Sequence, residues 1–178
     1  MDKTPCLIDT NVPLTANGNN HLSLSCQLEC SITLAEIMSN GVLVLDSQWK
    51  IIKEYQNKLY PAKPGMGNNF LKWVLTHRTN PKKISYVTIT PRLNTQDDTE
   101  FAEFPEHSGL KSFDRADRKL VAAANAHIPK APIYQAADSK WLGWRAALRE
   151  CGIEVKFLCK EELAILHQKK TGSPLLPG

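Results

Sequence analysis

The sequence predicts an α/β domain: a three-layer α/β/α sandwich around a mostly parallel central sheet. Short β-rich runs alternate with longer helical patterns along the chain, the order that strand–helix–strand units produce. The 178 residues are the length of one domain and can bury a hydrophobic core. No internal repeat, low-complexity tract or linker interrupts them, so residues 1–170 are expected to form a single domain and 171–178 a flexible C-terminal tail.

The elements follow in order. Cys6, Leu7 and Ile8 form a short apolar run that ends at Asp9, the first strand; residues 17–20 are turn chemistry. From Ser25 to about Asn40, Leu28, Ile32, Ala35 and Met38 recur at three- and four-residue steps with Leu34 and Ile37 beside them, an amphipathic helix stopped at Gly41. Residues 42–45 are a buried strand ending at Asp46. Ser47 is the expected N-cap of a helix carrying Trp49, Ile51, Ile52, Tyr55 and Leu59, which Pro61 ends. A further short helix holds Phe70, Leu71, Trp73, Val74 and Leu75, and residues 84–89 are a strand. Residues 91–112 are polar and acidic, with Asp97, Asp98, Glu100, Glu103 and Glu106, and read as a long surface loop. The alanine-rich stretch from Asp114 to His127 is the strongest helix. Residues 132–136 form a strand that ends near Asp138, 141–150 a helix stopped at Gly152, 153–158 the last strand, and 160–169 the last helix.

Composition narrows the function. Hydrophobic residues are 42% and charged residues 22%, ordinary for a soluble domain. No apolar run approaches the roughly 20 residues that span a bilayer, and the first residues lack the layout of a signal peptide. The five cysteines, Cys6, Cys26, Cys30, Cys151 and Cys159, are odd in number without a disulfide-framework spacing, which predicts reduced thiols and a cytoplasmic protein. The net charge of +4 is a mild excess that suits a polyanion without requiring one.

Four acids stand where an open α/β sheet binds ligands, beyond the carboxyl ends of its strands. Asp9 and Asp138 close strands. Asp117 lies near the start of the alanine-rich helix, three and four residues before Leu120 and Val121, which puts it at the core-facing edge. Glu54 sits between apolar positions of its helix. Each has an ordinary explanation: turn and cap residues at strand ends, acids favoured at a helix N-terminus for Asp114 and Asp117, a solvated helix face for Glu54. Their joint order is what points to chemistry. Mg²⁺ binds oxygen ligands and is commonly held by one or two carboxylates together with substrate phosphate. It can activate water and neutralise charge on the attacked phosphate.

The succession resembles the PIN-domain nuclease family, in a bacterial branch, over nearly the whole chain. Residues 7–12 (Leu-Ile-Asp-Thr-Asn-Val) resemble its first motif, 114–124 its third and 136–139 its fourth. Residues 44–46 and 51–55, with Gly67 and 70–73, are similar to that branch. The resemblance implies that Asp9, Glu54, Asp117 and Asp138 are the catalytic acids and hold Mg²⁺ or Mn²⁺, that Asn11 is an accessory polar group, and that Asp114 assists the ligands or orients a basic residue. Glu36 imitates the second motif of toxin-type members but precedes the second strand, so Glu54 has the better topological place. Lys140 stands where many members have a further acid, which leaves the number of ions open.

Arg115, Arg118, Lys119 and Lys140 could contact a phosphate backbone, and Trp141 and Trp144 could stack on bases, although tryptophans more often fill a core. Cys26 and Cys30, four apart on one helix, lack the matching Cys/His pair of a zinc site. The five histidines have no nucleophile partner by spacing, and no phosphate-binding glycine loop is present. The expected function is metal-dependent hydrolysis of phosphodiester bonds, RNA before DNA. The alternative is a catalytically silent PIN-like module that binds RNA or a protein. A protein inhibitor and a homodimer are compatible with both.

Overall fold

A computed structural model describes residues 4–19, 21–59, 64–92 and 99–174. The expected break at Pro61, the acids Asp97 and Asp98, and the tail residues 175–178 lie outside the described residues.

Five strands of three to five residues form one parallel sheet: β1 (Pro5–Ile8), β2 (Val42–Asp46), β3 (Ile84–Val87), β4 (Ile133–Gln135) and β5 (Val155–Phe157). Their order is β3-β2-β1-β4-β5, and every pair is parallel. The chain therefore winds outward from β1 in one direction, then resumes on β1's other side with β4. With right-handed crossovers this reversal puts helices on both faces, and the fold is the three-layer α/β/α sandwich expected. The crevice where strand order reverses opens between the ends of β1 and β4.

The helices are α1 (Asn11–Ala16), α2 (Leu24–Asn40), α3 (Lys50–Leu59), α4 (Met66–His77), α5 (Arg118–Ala126), α6 (Lys140–Glu150) and α7 (Lys160–Thr171). The short α1 has no apolar periodicity to announce it, and it contains Pro13. The proline falls in the first helical turn, where its missing N–H leaves no hydrogen bond unmade. The last helix runs to Thr171 and is ended by left-handed Gly172 (φ 71°), a conformation that glycine adopts without steric cost. Helix α3 begins under Asp46 rather than Ser47: its carboxylate accepts from the backbone N–H groups of Lys50 and Ile51, at 2.9 and 2.8 Å. Asp46 is fully buried, and these two bonds offset its loss of water.

Helix α2 turns a different face inward from the one its Leu28/Ile32 spacing suggests. Cys26, Cys30, Leu34 and Ile37 are buried, while Leu24, Leu28 and Ile32 remain 80%, 61% and 45% exposed. Both stripes repeat at helical spacing, so periodicity could not choose between them. Tertiary packing chose the cysteine stripe. Cys26 is joined to Cys159 by a disulfide that spans 133 residues, and the Cys30 sulfur lies 3.8 Å from that of Cys159. The expectation of five reduced thiols thus gives way for one pair, since sequence spacing cannot show which cysteines meet. With it goes the support that reduced thiols lend to a cytoplasmic location. No helix among the described residues is long and apolar enough to cross a membrane.

The described residues of the 91–112 region, 91–92 and 99–112, are anchored more firmly than a surface loop. Phe101, Phe104 and Leu110 are buried, Pro91 pairs with Phe101 in an isolated bridge, and residues Ser108–Leu110 make one 3-10 turn. Helices α1 and α4 approach closely at Gly67, where an added Cβ would lie 2.1 Å from the carbonyl oxygen of Pro13.

Candidate metal centre

Each acid is positioned by its own local bonds. Asp9 follows the last residue of β1, and its N–H continues the ladder by donating to the Tyr134 carbonyl at 2.9 Å. Its carboxylate accepts from the Asn11 N–H at 2.8 Å, which turns the chain into α1. Asn11 in turn accepts from the Ala136 N–H at 3.1 Å, tying the end of β1 to the end of β4. Asp138, three residues beyond β4, accepts from the Lys140 N–H at 2.9 Å and so opens α6. Asp117 precedes α5 at the end of a 3-10 turn whose cap is Asp114, accepting from the Ala116 N–H at 3.0 Å. Glu54 projects from α3, its neighbour Tyr55 being fixed by a 2.5 Å hydrogen bond to the Ile8 carbonyl.

The four acids share one electrostatic neighbourhood. Asp9 is only 6% exposed. Burial first, then the charges of Asp117, Glu54 and Asp138, push its carboxyl from 3.8 up to about 8, against the pull of the Asn11 N–H. Burial, Asp114 and Glu54 raise Asp117 to about 6, while Lys119 and the Trp141 indole N–H oppose the rise. Desolvation and like charge both disfavour the ionised forms. Such a cluster gains from any cation that enters it.

One cation is already there. Lys119 Nζ lies 2.5 Å from Glu54 Oε2, and the other Glu54 oxygen accepts from Thr10 Oγ1 at 2.8 Å. Both oxygens of Glu54 are engaged, so a divalent ion would compete with Lys119 or meet Glu54 indirectly. The carboxylates also stand apart: among the described residues, the His/Cys/Asp/Glu group whose ligand atoms all lie within 4.8 Å is Cys26, Cys30 and Cys159, not the acids. A hollow of about 190 Å³ opens beside Asp138, lined also by Asn11, Thr15 and Ala136. Glu36 is exposed on α2.

The basic residues near the acids are mostly occupied. Arg118 is ion-paired with Glu100, and Arg115 lies 3.9 Å from the same carboxylate. Lys140 is well exposed and lies 3.8 Å from Asp114. Trp141 is a core residue with no exposure, yet its indole N–H donates to Asp117 Oδ2 at 3.3 Å. That support for the site was not legible in sequence, although its place three residues after Asp138 puts it on the adjoining turn. Trp144 packs on Phe113, ring centroids 4.5 Å apart. No known protein family, characterised protein or solved structure matches the chain.

Carboxylate oxygens are the donors that a hard divalent cation takes, and the carboxyls of Asp9 and Asp117 are the two whose pKa is raised. Asp9, Asp117 and Asp138 have the donor type for one, with their carboxylates standing apart.

Proposed function

We propose that the protein is a divalent-metal-dependent nuclease, PIN-like in its acid arrangement, that hydrolyses phosphodiester bonds in RNA. The observation that supports this reading is that Asp9, buried at the end of β1, feels the charges of Asp117, Glu54 and Asp138 from distant parts of the chain. Asp9, Asp117 and Asp138 would hold Mg²⁺ or Mn²⁺, with Glu54 supporting them through Thr10. When bound, the ion supplies Lewis-acid stabilisation of phosphate charge and a lowered water pKa.

The chain's own groups do the rest. Asn11 holds the β1 and β4 ends together and thereby sets the separation of Asp9 and Asp138. Trp141 orients Asp117. Lys119 balances Glu54 until the ion arrives. Purified protein should cleave single-stranded RNA with Mn²⁺ or Mg²⁺ and stop on chelation or on Asp9→Asn. Folded, metal-supplied protein that leaves RNA and DNA panels intact would remove the reading.

A second reading has one specific observation in its favour: the Lys119 ammonium already neutralises part of the cluster. In that case the protein is a silent PIN-like module binding RNA or a protein. Titration calorimetry separates the two, because the silent module takes up no Mn²⁺.

A further inference from the structure

We propose that the groove between α6 and α7 is a binding track for the phosphate backbone of a single-stranded nucleic acid, leading to the acidic crevice. The inference deepens the nuclease reading by assigning where the substrate lies, and the track stands as a binding site even if no cleavage occurs.

The groove encloses about 500 Å³, and its walls carry Lys140, Arg145 and Arg149 from α6 and His167 and Lys170 from α7, with no acid among the described residues that line it. The lysines and arginines that line it number four. Lys140 lies 3.8 Å from Asp114, and Arg115, Arg118 and Lys119 lie beside carboxylates elsewhere.

The groove adjoins Asp138 along the chain. It begins at Ser139 and Lys140, the two residues after Asp138. Lys170 donates to Ser139 Oγ at 2.8 Å, which ties the α7 wall to the start of α6. Arg145 lies over the Phe157 ring, 6.0 Å from its centroid, so the guanidinium is held at the groove rather than free in solvent.

The floor is open. At Gly143, within α6, an added Cβ would meet nothing within 4 Å. Packing does not demand glycine there, and glycine inside a helix costs roughly 1 kcal/mol relative to alanine. The missing side chain leaves the surface clear for a close approach.

A cation-lined groove of this kind suits a polyphosphate chain, whose charges need only loose spacing. A single strand can bend between two helices, whereas a duplex presents its phosphates on a wide, stiff cylinder. Single-stranded RNA or DNA is therefore the occupant.

The test measures binding without cleavage. Labelled single-stranded RNA is titrated with full-length protein in EDTA, by fluorescence anisotropy, over a range of salt concentrations. Arg149→Gln with Lys170→Gln should weaken binding at least tenfold. It should also flatten the log Kd against log salt slope by about 1.4, at roughly 0.7 for each phosphate that is no longer neutralised. Gly143→Leu, which fills the floor, should weaken binding at constant slope. Lys82→Gln, an exposed lysine in the turn before β3, should change neither quantity. Circular dichroism establishes that each variant is folded.

The proposal is overturned if the double variant keeps wild-type affinity and slope, or if Lys82→Gln weakens binding as much. Tighter binding to duplex than to single strands, or displacement by polyglutamate at equal charge concentration, also overturns it. Binding that depends on the groove in a protein that cuts nothing with Mn²⁺ sinks the nuclease reading and leaves the track in place.

Discussion

Replacing Asp9 by Asn should stabilise the metal-free protein at neutral and alkaline pH while removing its response to Mn²⁺. The folded carboxyl titrates near 8 against an ordinary 3.8. Between those values the folded chain keeps a proton that the unfolded chain releases. Stability therefore falls as pH rises, being fullest below about pH 4 and lost through pH 8. At about 1.4 kcal/mol per pKa unit, the Asp9 contribution falls by roughly 3–4 kcal/mol between pH 5 and pH 8. Asn carries no charge to desolvate, and its side-chain oxygen can still accept from the Asn11 N–H, so the variant should keep only the smaller slope left by Asp117, whose carboxyl titrates near 6. Urea unfolding in EDTA at pH 5 and pH 8 measures both slopes. At one fixed Mn²⁺ concentration, a hundred times the Kd at pH 8, the wild type should gain about 2.7 kcal/mol at pH 8 and less at pH 5, and the variant nothing. Parallel pH profiles for the two proteins, or equal stabilisation by Mn²⁺, would refute the reasoning.

Other perturbations test the scaffold. Gly67→Ala should cost at least about 2 kcal/mol, because its Cβ would collide with the Pro13 carbonyl and backbone cannot yield as a side chain can; urea midpoints read this directly. Trp141→Phe keeps the ring in the core but removes the N–H donated to Asp117; it should lower stability by about 1 kcal/mol and weaken Mn²⁺ binding in calorimetry. Reduction of the Cys26–Cys159 bond frees a 133-residue span, for which chain entropy sets a ceiling of about 5 kcal/mol. A lower melting temperature in dithiothreitol should appear in the wild type and vanish in Cys26→Ser.

The sheet and its flanking helices were readable because they rest on local rules. Apolar runs ending in an acid mark β1 and β2, and the alanine-rich stretch before His127 marks α5. The candidate acids were also found by local position, at strand ends and a helix start. What sequence misjudged were the choices that local rules leave degenerate. Two apolar stripes on α2 repeat at helical spacing, and Ser47 was expected to cap α3 where Asp46 does so.

The sequence by itself determined the order of the strands and, apart from the short α1, of the helices, since periodicity and turn chemistry act over a few residues. Only the tertiary structure decided the partners. It brought Lys119 onto Glu54, joined Cys26 to Cys159, buried the cysteine face of α2 and gathered four cations between α6 and α7. Those outcomes depend on contacts between residues tens to more than a hundred positions apart, and burial, which raises the carboxyl groups of Asp9 and Asp117, exists only once those contacts have formed.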